Sequence, residues 1–267
     1  MLTVEDDLKD RKFVNALARG LDILRAFDIG TPELSNHEIA ERTGLPKPTV
    51  SRFTHTLTEL GYLIPSPRTG NFRLGRAVLS LGYTMLASVE LRERAKPYMD
   101  DLAQSDNVTV ALGTRDRLSA VYIEVSKGSQ IITISRNVGS RLPIHTTAMG
   151  RALMAALPAA EYEYLIQALR ERYPADFPTI EKQLNQARDD INIHGFCTSI
   201  GDWISDVNAV ATPVYSADKS EVYAINVGGP SFMISRDRLI REIGPKLVSV
   251  ARQLGTEHQL ISGQRAG

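Results

Sequence analysis

Apolar residues recur at helical spacing from Phe13, with Val14, Leu17, Ala18, Leu21, Leu24 and Phe27 on one stripe. This predicts an amphipathic helix ending at the Gly30-Thr31-Pro32 loop signal. A short second helix is expected over Asn36–Thr43, with Ser35 as N-cap and Ile39 and Ala40 facing inward. Gly44 supplies the freedom for a tight turn, and Leu45 points back to the core. A third helix opens with Pro46 and Pro48, tolerated where first-turn amides lack intrahelical partners. Its apolar stripe is Val50, Phe53, Leu57 and Leu60. After Gly61, Tyr62-Leu63-Ile64 and Phe72-Arg73-Leu74 flank a turn-rich stretch from Pro65 to Asn71, a β-hairpin carrying Arg68 near its tip. Three helices and a hairpin in this order predict a winged helix-turn-helix.

Arg76 to Ser88 predicts a helical spacer whose apolar face meets another subunit, and Glu90 to Ser105 a helix bent by Pro97. From Asn107 the period becomes alternating. Strands are expected at Val108–Leu112, Leu118–Val125 and Gln130–Arg136, with turns at Thr114–Arg117 and Ser126–Ser129. Thr146–Leu157, Glu161–Arg172 and Ile180–His194 read as helices, and Ala209–Tyr215 and Val222–Val227 as strands. The last helix has Ser235 as cap, a kink at Pro245 and Gly255 as its stop. The fold class is α+β. A winged-helix domain spans 1–75, a linker helix 76–89, and a mixed α/β, sensor-like (GAF-like) domain 90–267, with antiparallel sheet and helices against it.

Composition changes this picture at one point. The 267 residues carry no net charge, which excludes a simple polycation. Yet Arg42 to Arg76 holds six cations against one acid, Glu59, so the remainder is acidic by the same excess. The lone cysteine, Cys197, excludes an intrachain disulfide and fits a reducing compartment. Acidic residues near the start argue against a leader peptide, and no apolar run is long enough to span a bilayer. The expectation is a soluble cytoplasmic protein with no membrane partner.

The face of the third helix left over by its apolar stripe carries Lys47, Thr49, Ser51, Arg52 and His55, with no carboxylate before Glu59. Donors and cations on the second helix of a tight pair are what a groove-reading helix needs. Arg52 is the expected guanine contact, because its planar fork matches O6 and N7. Lys47 and Thr49, at the helix start, face phosphate, where backbone amides are free, and Ser35 and Pro48 belong to the same expected DNA-binding set. Arg68 on the wing meets phosphate or the minor groove. His194, Cys197 and His145 are too few ligands for a closed zinc site, so no metal is expected, nor any cofactor. Enzyme motifs are missing too: there is no Gly-x-Ser-x-Gly elbow, phosphate-cradling glycine loop or His-Glu-x-x-His. Thr146 and Thr147 open a helix. Hydroxyl capping accounts for either alone, while a second reading has the amides near Ala148 and Met149 receive a ligand carboxylate.

Three stretches resemble the IclR family of bacterial transcription regulators: ARGLDIL from Ala18, EIAERTGLPKPTVSR from Glu38, and LPIHTTAMGRALMA from Leu142. Within the family, the likeness is to regulators of aromatic-acid and β-ketoadipate catabolism. The resemblance implies a winged-helix homodimer, or dimer of dimers, on double-stranded operator DNA, a dimerising linker helix, and a second domain that binds a small organic acid. It places effector contacts at His145, Thr146, Thr147, Ala148 and Met149, and also near Asp202, Ala209, Asn226 and Gly228. Two departures bear on the pocket: Met149 is bulkier than the small residue common in the family, and Ile204–Asn208 lacks a glycine before the next strand.

Two functions of different class follow. One is a ligand-responsive, sequence-specific DNA-binding regulator. The other is a small-molecule-binding metabolic protein whose winged helix mediates protein contacts only. RNA binding is a third reading, opposed by the missing aromatic platform.

Overall fold

The structure, a computed structural model, describes residues 12–28, 30–129, 136–216 and 218–264. Two compact units divide the chain, residues 1–88 and 89–267.

The first unit holds α1 (Asn15–Arg25), α2 (Asn36–Thr43), α3 (Lys47–Glu59), β1 (Leu63–Pro65), β2 (Phe72–Leu74) and α4 (Arg76–Ala87). A full capping box starts α2: Ser35 Oγ accepts from the Glu38 amide, and the Glu38 carboxylate accepts from the Ser35 amide at 2.8 Å. Such a box contributes about 1 kcal/mol. Gly44 closes the helix at φ 70°, the left-handed region a side chain would resist, and so turns the chain into α3. Ile23, Phe27, Leu34, Ile39, Val50 and Leu57 form the core. Leu34 and Phe72 exchange backbone hydrogen bonds at 2.9 and 2.8 Å, which adds a rung beside the β1–β2 hairpin and ties the wing to the chain entering α2.

Three expectations for this unit are corrected. The α1 stripe does not face one core: Ile23 is buried while Val14, Leu17 and Leu21 are exposed. Leu60 caps α3 and is exposed; Thr54 takes the inward position instead, its hydroxyl donating to Asn36 Oδ1 at 3.1 Å and so joining α3 to α2. Arg42 is spent internally, on the Ala26 carbonyl at 2.8 Å and the Asp28 carboxylate at 3.1 Å. The local cationic excess that faces outward is smaller by that charge.

The second unit runs α5 (Glu90–Asp106), β3 (Thr109–Asp116), β4 (Ser119–Lys127), β5 (Arg141–Pro143), α6 (Ala148–Ala155), α7 (Ala159–Arg172), α8 (Phe177–His194), β6 (Cys197–Ile200), β7 (Val207–Tyr215), β8 (Val222–Pro230), α9 (Arg236–Arg238) and α10 (Gly244–Gln264). The sheet is antiparallel throughout, in the order β5-β4-β3-β8-β7-β6. One face carries Val110, Leu112, Ile225 and Val227 and is covered by α5 and α10. The other carries small residues, among them Ala111, Gly113, Ala120, Ala211 and Ala224, and α6 lies on it. The close approach depends on that smallness, since a Cβ on Gly113 would collide with the Met149 sulfur and one on Gly150 with the Ile144 backbone. Buried helix α6 and its alanine-rich bed set the geometry of the pocket.

β5 and β6, not expected from the sequence, are short edge strands, and β3 continues to Asp116 through the expected Thr114–Arg117 turn; the turn is Arg117-Leu118, with Arg117 at φ 55°. The expected strand over 130–136 lies, up to residue 135, outside the described residues; Arg136 itself is irregular. Leu239–Ile243 forms a π-helical turn directly before Pro245, whose missing N–H removes one hydrogen bond from any regular register. The helix then continues past Gly255 to Gln264, so Gly255 is not its stop.

Candidate nucleic-acid face and ligand pocket

α3 presents Lys47, Pro48, Ser51, Arg52 and His55 to solvent, with Thr49 half-buried. Val50, Thr54 and Leu57 on its inner side fix the roll that points this face outward. Among the described residues, Lys47, Arg52 and Arg68 meet no carboxylate within ion-pair distance. Arg68 is exposed at the hairpin tip, where Ser66 and Asn71 close the turn through a backbone bond of 2.7 Å. Ser35 is half-buried with its hydroxyl engaged by Glu38. The face is a set of cations and hydroxyls without internal partners, flanked by a basic wing. Such a surface is chemically suited to an anion, and a helix of this kind is suited to a groove.

In the second unit a cavity of about 70 Å³, partly open to solvent, lies between the start of α6 and the sheet. One cross-strand row forms its floor: Thr109, Gly228, Ala209 and Ser199 are register partners on β3, β8, β7 and β6. All four are small, and so the strand ends leave room. Thr147, Ala148 and Met149 line the opposite side. Tyr122, Asn226, Arg136 and Trp203 supply the polar and aromatic wall.

Thr147 is fully used as the α6 cap, accepting from the Gly150 amide at 3.1 Å and donating to the Pro143 carbonyl at 2.8 Å. The next two amides, of Ala148 and Met149, have no intrahelical acceptor because they open the helix. Together they make the α6 start favourable for a carboxylate. Of the expected effector contacts, Thr147, Ala148, Met149, Ala209, Asn226 and Gly228 line this cavity. The other three lie elsewhere. His145 is buried against Tyr173, ring centroids 4.7 Å apart, and its carbonyl accepts from Arg151 Nε at 3.0 Å. Burial, with the Arg151 charge, holds the His145 imidazole below its ordinary pKa. Thr146 gives its carbonyl to Ser199 Oγ at 2.7 Å, and its own buried hydroxyl meets no partner. Asp202 is held by Arg151 Nη1 at 2.7 Å, an ion pair that anchors the 201–206 loop and leaves its carboxylate occupied.

Three wall residues were not anticipated: Tyr122, Arg136 and Trp203. The guanidinium of Arg136 lies over the Trp203 ring, 5.2 Å from its centroid, while its buried Nε meets no acceptor. Asn226 lies close to the Tyr122 hydroxyl, whose deep burial raises its pKa, and Asn226 Oδ1 meets no donor. The one available signal was that Trp203 is the only tryptophan, set in a loop of small and polar residues. Cys197 is buried beneath α6, its thiol donating to the Ala148 carbonyl at 3.5 Å, and burial pushes its pKa up to about 12. Among the described residues no group of three or more His, Cys, Asp or Glu side chains is placed to hold a metal, and no helix is long and apolar enough to cross a membrane.

Two family descriptions match the chain: the IclR helix-turn-helix domain over residues 16–65, and the bacterial transcriptional regulator IclR C-terminal domain over residues 83–256. The HTH-type transcriptional regulator TsaQ1/TsaQ2 of Comamonas testosteroni is 32% identical over 246 residues, covering 91% of this chain and 88% of that protein. The Pca regulon regulatory protein of Pseudomonas putida is 31% identical over 258 residues, covering 94% and 86%. A crystal structure of an IclR family transcriptional regulator from Brucella abortus superposes with a TM-score of 0.85 at 44% identity, covering 93% of this chain and 94% of the other.

Proposed function

The chain belongs to the IclR family of bacterial transcription regulators, with a helix-turn-helix DNA-binding domain, and on that premise we propose that a small carboxylate in the second-unit cavity controls how tightly α3 holds an operator. Its relatives are regulators rather than enzymes. The observation that carries the DNA assignment is the unpartnered cationic face of α3. In this reading Arg52 reads a guanine edge, while Ser35, Lys47, Pro48 and Thr49 border phosphate, Ser51 and His55 face the groove, and Arg68 follows the backbone from the wing. The acid sits at the α6 start, against the amides of Ala148 and Met149, with Ala209, Asn226 and Gly228 across the cavity. His145, Thr146 and Asp202 act behind this wall rather than on the ligand.

The protein works as a homodimer or dimer of dimers. Supporting this, α4 has no buried residue while Leu79 is 74% and Tyr83 69% exposed, and α1 exposes Val14 and Leu17. Apolar faces of that extent are ordinarily covered by a second copy. Two-fold symmetry then sets half-sites about 34 Å apart. The linker α4 transmits the effector signal to the spacing of the paired recognition helices. The Pseudomonas putida relative, named for its pca regulon, agrees with an acid of catabolic origin.

Fluorescence anisotropy on the gene's own upstream duplex tests this reading. Binding should be tight, should prefer that duplex to random DNA, and should weaken steeply with salt as counterions are released. A panel of aromatic acids and small oxo- and dicarboxylates should include one that shifts operator affinity, with bound operator shifting acid affinity by the same factor. Flat salt dependence without sequence preference would instead support the metabolic protein whose winged helix serves protein contacts.

A further inference from the structure

Two polar atoms face the cavity without partners, and they are of opposite sense. Arg136 Nε is a buried cationic donor, pinned over Trp203. Asn226 Oδ1 is a buried acceptor on a residue only 6% exposed. Leaving either unmade costs more than an ordinary hydrogen bond returns, so the site is incomplete as a water-free cavity. Asn226 and Tyr122 also sit side by side. Their strands flank β3, with Asn226 opposite Ala111 and Tyr122 opposite Gly113, and both side chains line the same cavity at close range. That sets an unpartnered acceptor, Oδ1, beside a phenolic hydroxyl, which can turn its proton toward a ligand.

A hydroxyl group both donates and accepts, and is therefore the group that satisfies this pair. A carboxylate satisfies Arg136 and the first α6 amides, which all donate. Leu142, Met149 and Val207 add apolar lining. Size narrows the class further. An apolar cavity of about 150 Å³ holds benzene, whereas this one has about 70 Å³, so a ring must extend through the open side and a compact acid lies wholly within. We infer that the pocket selects a small hydroxy acid, its carboxylate at Arg136 and the α6 start, its hydroxyl read by the Asn226–Tyr122 pair. This rests on the carboxylate assignment above and adds a demand on the rest of the ligand.

The single tryptophan in the cavity wall makes the test direct, because Trp203 emission reports occupancy of this site in the full-length protein. Matched acids differing by one hydroxyl are titrated: lactate against propionate, glycolate against acetate, and 3-hydroxybenzoate against benzoate. At least one hydroxy acid should bind about tenfold or more tightly than its partner, the penalty for leaving Oδ1 unmade. Asn226→Leu should remove that preference, and Tyr122→Phe should reduce it while keeping the ring that fills the wall. Arg136→Gln should weaken both members of each pair alike. Equal affinities within every pair, or a preference that survives both Asn226→Leu and Tyr122→Phe, overturns the hydroxyl assignment while leaving the carboxylate reading intact. If no acid of any pair perturbs Trp203, the carboxylate reading itself fails, and this one with it. Should Asn226→Leu lose its cooperative thermal unfolding, Tyr122→Phe alone decides.

Discussion

Arginines behave differently in the two units. In the second, Arg92, Arg115, Arg141, Arg151 and Arg238 each meet a carboxylate, with Glu124, Glu161, Asp116, Asp202 and Asp106 as partners. In the first, Arg52 and Arg68 stand clear of every described carboxylate. Neither set is uniform. In the first unit Arg25 meets Asp22, and Arg42 is tied internally, stitching α2 to the end of α1. Arg136 is a second-unit arginine with its Nε unmet, and it lies in the pocket. A cation with an internal partner is structural; one left over on a recognition helix or in a cavity wall is available to an outside anion. For α3 that anion is DNA; for Arg136 it is the proposed carboxylate.

The contrast is broken hardest at Arg151. Its side chain is only 4% exposed and holds Asp202 together with two carbonyls. Arg151→Ala should cost about 3 kcal/mol of second-unit stability, the scale of a broken buried pair, read as a lowered urea midpoint. A loss below about 1 kcal/mol, the worth of a surface pair, would mean that the ion pair is not what anchors the 201–206 loop. Arg52→Ala should do the reverse. Folding stability should change by no more than about 0.5 kcal/mol, while discrimination at one base pair falls by about 1–3 kcal/mol. If affinity instead drops evenly across all sequences, Arg52 is a phosphate contact. Arg68→Ala should show that even drop, with the salt slope reduced by about 1; an unchanged slope would take the wing off the DNA.

The smallest effect concerns His145. Its imidazole is held below the ordinary value of 6.5 by burial and by Arg151, so the folded state disfavours the proton. The unfolded chain takes up that proton first as pH falls through 6.5, and stability declines from there down to the folded value. Urea midpoints should therefore fall on mild acidification, and His145→Gln should flatten the dependence. A midpoint that rises on acidification would reverse the assignment.

The helix-turn-helix was legible because its signals are local: a Ser35–Glu38 capping box, Gly44 at a positive φ, and prolines where α3 begins. What escaped was set by tertiary contact. The α1 stripe reads as one face, yet Ile23 enters the core while Val14, Leu17 and Leu21 do not. Arg42 counts toward a basic patch until Asp28 appears beside it. Of the cavity lining, the α6 start and the ends of β7 and β8 were expected from family-like residues, but Tyr122, Arg136 and Trp203 were not. They converge only through pairing of β3 with β8, whose residues lie more than one hundred positions apart, as in Ala111 opposite Asn226. Asp202 stands one residue from the cavity lining at Trp203, because Arg151 holds it behind the loop.

The floor row of Thr109, Gly228, Ala209 and Ser199 has an evolutionary consequence. Each position belongs to a different strand, and the hydrophobic packing of α5 and α10 lies on the opposite face of the sheet. A methyl group gained or lost in this row would resculpt the chamber while the scaffold's own packing stays as it was. On the proposed reading, a lineage can then change the acid it responds to one codon at a time, with its helix-turn-helix untouched.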